Sequence, residues 1–404
     1  MSRVTYAWLL VGLLWVVAFL NYVDRQVIYA LFPLLEKDFA LTGTQLGLLS
    51  TVFLWIYALA SPFGGYLADR FGRARVVLLS LLVWSAVTWA TGHARDYAEL
   101  AAARALMGLS EAFYIPAALA LIADYHSERT RATATGLHQS GLYTGIAMGG
   151  LAGGWLGERY GWRSPFTILG AVGVVYSLAL GLSLRDAPRG GPSAAALKAA
   201  GTVRRLSALP GFWRLTVVFT AVGLANWLVY TWLPLYLYER FTMSLTAAGF
   251  SATFYIQAAS FAGIIAGGLA ADFWGARRSR ARVWVQAAGL CAAAPFLFMM
   301  GSTASRAILL PALVLFGLGR GIYDSNAMPV LCQIAPAQLR STGYGVFNLF
   351  SCVAGGVAAA LAGYLKSRLG LAVAFQAAAL VLIAAAGLLL TVKPAGSSGG
   401  GRDG

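Results

Sequence analysis

Residues Gly65–Arg75 read Gly-Tyr-Leu-Ala-Asp-Arg-Phe-Gly-Arg-Ala-Arg, and a related stretch, Gly-Leu-Ala-Ala-Asp-Phe-Trp-Gly-Ala-Arg-Arg, occupies Gly268–Arg278. Both contain Gly-x₃-Asp-x₂-Gly followed by arginine, and each comes after the second long apolar segment of its half of the chain. A shorter match relates Arg131–Gly136 to Arg340–Gly345. Internal repetition of this kind indicates a chain built from two related halves.

The segments around these stretches are strongly apolar. The 404 residues are 59% hydrophobic and 11% charged, with a mean hydropathy of +0.70, whereas soluble proteins carry about 25% charged residues. This composition excludes a soluble enzyme. Since a spanning helix needs about 20 mostly apolar residues, we predict an all-α membrane protein with 12 transmembrane helices in two pseudo-symmetric six-helix bundles. The predicted spans are 6–32, 44–68, 74–92, 97–122, 132–157, 164–184, 212–237, 244–271, 283–301, 306–334, 340–365 and 370–391.

The spans divide the chain into four predicted regions. They are an N-terminal bundle (1–184), a cytoplasmic linker (185–211), a C-terminal bundle (212–392) and a disordered tail (393–404). Part of the linker is either a basic interfacial helix or disordered, and the sequence leaves both open. Lys and Arg concentrate in the loops on the side of the N-terminus, so the positive-inside rule predicts that both termini are cytoplasmic. We therefore expect a multi-pass protein of the plasma membrane, or of the inner membrane in a bacterium.

Ionisable side chains within the spans are the first candidates for function, because charge at membrane depth is costly. Arg104 and Glu111 are seven residues apart, about 10 Å along one helix, so each needs another partner. Adjacent Asp24 and Arg25 must point in different directions, and we expect Arg25 to line the cavity while Asp24 is held against a neighbouring helix. Arg320 and Asp324 are spaced to pair along one helix face, which would make them structural.

These residues carry a resemblance to the major facilitator superfamily, which covers the whole chain. The matching motifs are Gly65–Arg75 and Leu100-x₃-Arg104-x₃-Gly108. Within the superfamily, the chain resembles the anion:cation symporter family. The residues that match are Asn21-Tyr22-Val-Asp24-Arg25, Tyr57, Arg104-x₃-Gly108-x₂-Glu111-Ala112 and Trp232–Leu237. The spinster-like lysolipid transporters share Asn-Tyr-x-Asp-Arg and Arg-Ala-Leu-x-Gly-x-x-Glu-Ala, which makes them the close rival.

The resemblance implies a secondary active transporter that imports a small organic anion, a carboxylate or sugar acid, with protons by alternating access. It implies that Arg25 binds the substrate carboxylate beside Tyr57, that Asp24 and Glu111 carry protons, and that Arg104 tunes Glu111. Asn348 would contact substrate hydroxyls. The proton is the expected coupling ion, without a further cofactor or metal. The other expected partners are the anionic substrate and the lipid bilayer, not nucleic acid, and the expected functional unit is a monomer.

Further candidates come from the residues themselves. Tyr29, Gln139 and Arg320 are polar or charged side chains within spans and are candidates for substrate binding. Gating is assigned to the two loop motifs, in which arginines would pair with acids or helix ends of the neighbouring bundle and break on rocking. The gating set is Gly65, Asp69, Arg70, Gly72, Arg73, Asp272, Gly275 and Arg277.

Three observations bear on the alternatives. Ala112–Pro116 reads Ala-Phe-Tyr-Ile-Pro where the anion symporters often have Ala-Gly-Asn-Phe-Pro. The bulkier residues indicate a smaller or a more apolar cavity, and a more apolar cavity would favour lysolipid transport. Gly141, Gly145, Gly149 and Gly153 form a stripe of small residues that predicts close helix packing. Catalytic or metal-binding motifs are not found, so an enzyme is not expected. A non-transporting membrane sensor is the alternative from another class.

Overall fold

The computed structural model describes residues 3–186, 199–275, 278, 280–336 and 339–392. These residues form fifteen α-helices and no strand. The helices are α1 (Arg3–Ala30), α2 (Phe32–Phe39), α3 (Gly43–Phe71), α4 (Arg73–Thr91), α5 (Tyr97–Glu111), α6 (Tyr114–Tyr125), α7 (Glu128–Tyr160), α8 (Arg163–Ser183), α9 (Ala199–Ser207), α10 (Phe212–Phe241), α11 (Leu245–Gly275), α12 (Ala281–Ser302), α13 (Arg306–Ile334), α14 (Arg340–Arg368) and α15 (Leu371–Leu390). The predicted all-α fold class is confirmed.

Eleven stretches of the described residues are long and apolar enough to cross a membrane. Helices α5 and α6 together form one of them, Tyr97–Tyr125. The predicted fifth span, 132–157, lies within the 33-residue helix α7, whose many Thr, Ser and Gly residues lower its apolar character. Helix α7 is therefore long enough to span but less apolar than the other eleven.

The predicted fourth span is not one continuous helix. It breaks at Ala112–Phe113, so that Glu111 is the last residue of α5. Pro116 lies in the first turn of α6, where its ring excludes a continuous helix through the carbonyl of Ala112. At Gly64, α3 passes so close to the break that an added Cβ would lie 3.1 Å from the Ala112 oxygen.

The glycine stripe of α7 packs against α1, as predicted. A Cβ on Gly141, Gly145, Gly149 or Gly153 would lie between 2.6 and 3.0 Å from successive carbonyl oxygens of α1, which belong to Trp15, Phe19, Val23 and Val27. Side chains larger than hydrogen would force the two backbones apart. This contact fixes the position of α1, the helix that carries Asn21, Asp24 and Arg25.

The described residues form two compact units, and their boundary does not fall at the predicted linker alone. The first contains α1–α8 with residues 230–254, which are the end of α10 and the start of α11. The second contains α9, the start of α10, the remainder of α11 and α12–α15. The domain boundaries proposed from the sequence stay a prediction.

The predicted linker is only partly described. Ala199–Ser207 forms the helix α9, with Leu206 buried and Arg204 and Arg205 exposed. This arrangement matches the basic helix that was one of the two alternatives for the linker. Residues 187–198 and the tail 393–404 lie outside the described part of the chain.

Candidate functional site

The centre of the first unit holds an ion pair between α1 and the end of α5. Nε of Arg25 donates a hydrogen bond to Oε2 of Glu111, and the two side chains are 5% and 0% exposed. The guanidinium carbon of Arg25 lies 4.4 Å from the ring centroid of Tyr57 and 4.7 Å from that of Tyr22. Glu111 thus has the partner on another helix that its sequence position required. No local sequence pattern identifies Arg25 as that partner.

Arg104 occupies a separate position beside this pair. It is 1% exposed, and its guanidinium carbon lies 4.3 Å from the centroid of Phe53, whose ring is also 5.3 Å from the guanidinium carbon of Arg25. Its hydrogen bonds reach the Met107 sulfur at 3.1 Å and the Tyr29 hydroxyl at 3.5 Å. Among the described residues no carboxylate lies within salt-bridge distance of Arg104, as expected from its separation of seven residues from Glu111, and its charge acts on the Glu111 carboxyl from a distance.

Tyr29 links Arg104 to the end of α10. Its hydroxyl is 3.1 Å from Oγ of Ser50, which is in turn 3.1 Å from Oγ1 of Thr231. All three residues are buried and belong to the first unit. Of the predicted substrate-binding residues, Tyr29 and Tyr57 are therefore in contact with the buried arginines.

Asp24 lies on a different side of α1 from Arg25, as the sequence analysis expected. Oγ1 of Thr88 on α4 donates a hydrogen bond to Asp24 Oδ2 at 3.4 Å, while Oδ1 of the same carboxyl has no hydrogen-bond partner. Asp24 is 2% exposed. The two acids assigned to proton coupling are thus both buried, one against α4 and the other on the Arg25 guanidinium.

The remaining predicted binding residues are not part of this cluster. Gln139 lies on α7 of the first unit with its Oε1 buried and unpaired. In the second unit, Nε of Arg320 lies 3.3 Å from Oδ2 of Asp324, the pairing along one helix that the spacing predicted. Asn348 accepts a long hydrogen bond, 3.9 Å, from the Cys352 thiol.

The loop signature Gly65–Arg75 forms an ionic network at one end of the first unit. Nη2 of Arg73 lies 2.9 Å from Asp69 Oδ1, and Nη1 binds Asp124 on α6 and, at 2.9 Å, the carbonyl of Ala120. Arg70 donates to the Tyr66 hydroxyl at 3.0 Å. We expected the Arg73 partners in the neighbouring bundle, but they lie on α3 and α6 of the same unit, because the turn at Gly72 returns Arg73 onto these helices.

Gly72 makes that turn possible. Its φ of +101° is a conformation that side chains disfavour, and an added Cβ would lie 2.6 Å from Asp186 Oδ2. The other carboxyl oxygen of Asp186 accepts a hydrogen bond from the Ala74 amide at 2.9 Å, at the start of α4. Asp124 and Asp186 were missed from the sequence, although each is an acid at the end of an apolar span.

In its described residues, the second copy of the signature, Gly268–Arg278, is more exposed and makes fewer contacts than the first. Asp272 pairs with Arg282 at 2.7 Å, and its side chain is 71% exposed. Gly275 is the last residue of α11, its φ is not positive, and an added Cβ would meet nothing within 4 Å. Arg277 lies outside the described residues.

Helix α7 also contacts the start of α11, on glycines next to its stripe. A Cβ on Gly150 would lie 2.3 Å from the Gly249 oxygen, and one on Gly154 would lie 2.5 Å from the Leu245 oxygen. Glu158 Oε2 accepts hydrogen bonds from the Thr246 amide at 2.9 Å and from its hydroxyl at 2.5 Å. A carboxylate from α7 therefore caps the positive end of α11.

Comparisons with known proteins agree with this architecture. A bacterial homologue of the human lysosomal transporter spinster, solved in an inward-facing and unoccupied conformation, superposes with a TM-score of 0.80 at 23% identity and covers 95% of each chain. A D-xylose-proton symporter superposes with a TM-score of 0.78 at 14% identity, over 97% of this chain and 98% of that one.

The relatives found by sequence similarity are also described as transporters or as spinster proteins. The chain is 29% identical to the probable galactarate/D-glucarate transporter of Escherichia coli, over 90% of this chain and 88% of the relative. It is 29% identical to the probable sulfoacetate transporter of Cupriavidus necator, over 91% and 89%. It is 27% identical to human protein spinster homolog 1, over 79% and 64%. Because the Major Facilitator Superfamily model matches residues 14–359, the chain belongs to that superfamily and is a multi-pass membrane transporter, not an enzyme.

Proposed function

We propose that this transporter moves a small organic anion, a carboxylate or sugar acid, together with protons by alternating access. The observation that carries the proposal is the buried Arg25–Glu111 pair beside Tyr57. Arg25 presents a planar fork of donors suited to a carboxylate, and Glu111 already occupies one side of that fork. A substrate carboxylate and the Glu111 carboxylate therefore compete for the same cation.

This competition provides a physical basis for coupling. When Glu111 is charged, its attraction to Arg25 opposes substrate binding. When Glu111 takes up a proton, the ion pair loses its Coulomb energy and Arg25 is available to the substrate anion. Asp24, which is also buried and accepts a long hydrogen bond from Thr88, is the second proton carrier in this proposal. No further cofactor is proposed.

The relatives support an anionic substrate. Several of the curated relatives are described as transporters of galactarate and D-glucarate, of sulfoacetate or of D-galactonate, and these substrates are organic anions. We extend this class to the present chain, with Arg25, Tyr29 and Tyr57 at the binding site. Both termini are placed on the cytoplasmic side of the membrane, and the monomer is taken as the functional unit.

The lysolipid alternative has less support than the sequence suggested. It rested on the bulky residues Phe113 and Tyr114, which would make the cavity apolar. Tyr114 is instead fully buried in the core of the first unit, where its hydroxyl donates to the Leu14 carbonyl at 2.9 Å and lies 2.8 Å from His138 Nε2. Phe113 packs against the same core. Tyr114 thus fills the bundle interior and does not argue for a lipid cavity, and Phe113 is partly buried against it.

Purified protein in proteoliposomes tests the proposal. We expect galactarate, D-glucarate or a related acid to stabilise the protein against heat, and lysolipids not to do so. We also expect a proton gradient, acidic outside, to drive uphill accumulation of the stabilising acid with choline in place of sodium. Downhill flux without accumulation would overturn proton coupling, stabilisation by lysolipid alone would favour the spinster-like function, and binding without any flux would favour a sensor.

A further inference from the structure

Five buried polar atoms without a hydrogen-bond partner surround one turn of α1. They are Nδ2 and Oδ1 of Asn21, Oδ1 of Asp24, Nη2 of Arg25 and Oε1 of Glu111. Asn21 and Glu111 are 0% exposed, and Asp24 and Arg25 are 2% and 4% exposed. Buried polar atoms are nearly always paired in folded proteins, so a group of five on four adjacent side chains points to a role other than packing.

Helix geometry brings these atoms together. Asn21, Asp24 and Arg25 stand at positions i, i+3 and i+4 of α1, which are neighbours on a helix surface. The Asn21 amide lies beside the Glu111 carboxyl, although without the geometry of a regular hydrogen bond. The Asp24 and Glu111 carboxyls are close enough for their charges to interact. Asn21 is therefore a neutral polar group beside Glu111 and one helical turn from Asp24, whose carboxyl also meets Thr88 and Trp84 on α4.

We infer that Asn21 is a positioning residue that links the protonation of Asp24 to that of Glu111. An amide carries both a donor and an acceptor, so its N–H can bind a carboxylate while its oxygen can accept from a protonated carboxyl. An apolar side chain can serve neither state of the two acids, and a second carboxylate cannot donate to them when it is charged. Because neither end of the Asn21 amide is held by a hydrogen bond, protonation of one acid can change which end of the amide, donor or acceptor, is available to the other acid.

Asn326, a second buried asparagine, differs from Asn21 in its hydrogen bonds and has a structural role. Asn326 on α13 of the second unit is also 0% exposed, but its Nδ2 donates to Ser325 Oγ at 2.9 Å and to the Gly267 carbonyl at 3.4 Å. That amide ties its own helix to α11. Asn21 makes no comparable tie, and its neighbours are the two acids of the proposed coupling site.

Charged and titratable side chains from several helices lie near Asn21 and the two acids. Besides the two acids, the charged or titratable side chains there are Arg25 and Tyr22 on α1, Tyr57 on α3, Arg104 on α5, Tyr114 on α6 and His138 on α7. The two arginines are held by the contacts described above, and His138 is hydrogen bonded to Tyr114. Asn21 is thus an amide in this set whose orientation no hydrogen bond fixes.

The inference rests on the proposed proton coupling and is tested by the pH profile of substrate binding. Affinity of the purified protein for the stabilising acid would be measured over a pH series for wild type, Asn21→Ala and Asn21→Ser. We expect Asn21→Ala to move the pH midpoint of binding by about one unit or more while changing the affinity at the most favourable pH by less than about threefold. Asn21→Ser, which keeps a smaller donor and acceptor, should fall between the two.

Asn326→Ala is the matched control, since it removes an equally buried amide from the second unit. It should lower thermal stability without moving the pH midpoint. If the pH midpoint of binding moved in neither Asn21 variant, and affinity were unchanged or lowered equally at every pH, the role of Asn21 would be overturned. The proposed proton coupling would stand. Wild-type binding that does not depend on pH would overturn the proposed proton coupling and the inference with it. Should Asn21→Ala fail to fold, the midpoint of Asn21→Ser decides.

Discussion

The two copies of the Gly-x₃-Asp-x₂-Gly signature share a sequence pattern but not a structure. In the first copy, Gly72 turns the chain through a positive φ, and Arg73 binds Asp69, Asp124 and the Ala120 carbonyl. In the second, Asp272 has one arginine partner and is mostly exposed. The repeat therefore preserves a loop between two helices, while the ionic network belongs to the first copy.

The buried charges show the same asymmetry. Glu111 corresponds to Arg320 at the spacing that relates Arg131–Gly136 to Arg340–Gly345. Glu111 nevertheless pairs with Arg25 on another helix, whereas Arg320 pairs with Asp324 on its own helix. A pair within one helix moves as a unit and stays intact when helices shift. A pair between helices changes whenever its two helices move apart, which suits a coupling element. This difference predicts that charge substitutions act more strongly in the first half.

Removal of the Arg25 guanidinium should give the largest effect. Arg25→Ala takes away the donors for the substrate anion and also leaves Glu111 buried without a partner. Because hydrogen bonds to charged groups contribute about 1.5–3 kcal/mol, we expect the affinity for the substrate to fall by about tenfold to a hundredfold. Arg25→Lys keeps the charge but not the fork and should still weaken binding. Titration calorimetry with the stabilising acid measures both.

Arg320→Ala is the comparison for that experiment. Arg320 was also a candidate for substrate binding, but its pairing with Asp324 favours a structural role. A much smaller loss of affinity than in Arg25→Ala would support the asymmetry between the halves. Equal losses in the two variants would mean that both halves bind the anion, and wild-type affinity in Arg25→Ala would remove Arg25 from the site.

Glu111→Gln should separate coupling from transport. Glutamine resembles the protonated acid, so the variant should lose uphill, pH-driven uptake while it still exchanges substrate between preloaded vesicles and medium. Asp24→Asn should behave in the same way if both acids carry protons. Asp324→Asn in the second half should retain uphill uptake. Accumulation by Glu111→Gln against a substrate gradient, under a pH difference, would show that Glu111 does not couple.

The sequence predicted much of this organisation, for identifiable reasons. Apolar spans of about 20 residues are a strong signal, and the glycine stripe of α7 correctly indicated a close helix contact. The spacing of Arg320 and Asp324 was enough to predict their pairing, because both lie on one helix.

Contacts between distant helices were not predictable in the same way. The Arg25–Glu111 pair depends on how α1 and α5 pack and on the break at Ala112–Phe113, and nothing local to either residue names the other. Asp124 and Asp186 were missed because their roles arise only when the turn at Gly72 brings Arg73 and the Ala74 amide to them. The assignment of residues 230–254 to the first unit likewise reflects contacts across the chain.

Gly72→Ala should destabilise the protein where Gly275→Ala does not. Alanine at a positive φ costs about 1–2 kcal/mol, and the new Cβ would also displace Asp186 from the start of α4. Gly275 has an ordinary φ and open space, so its substitution should change the free energy of unfolding by less than about 0.5 kcal/mol. Thermal unfolding of the two detergent-purified variants makes the comparison, and equal losses would contradict the structural difference between the copies.

Asp69→Asn tests whether the first network serves gating, with a smaller expected effect. The substitution removes one negative charge from Arg73, which keeps Asp124 and the Ala120 carbonyl, so stability should change by no more than about 1 kcal/mol. The network lies at the loop end of the unit, and neither Asp69 nor Arg73 contacts the Arg25–Glu111 pair. Transport should therefore slow several-fold while equilibrium affinity for the substrate stays nearly unchanged.

Asp272→Asn is the matched substitution in the second copy, and because its ion pair is largely exposed we expect no change in rate. If Asp272→Asn slowed transport as much as Asp69→Asn, the two copies would gate alike despite their different contacts. A large loss of equilibrium binding in Asp69→Asn would instead place Asp69 among the residues that hold the substrate.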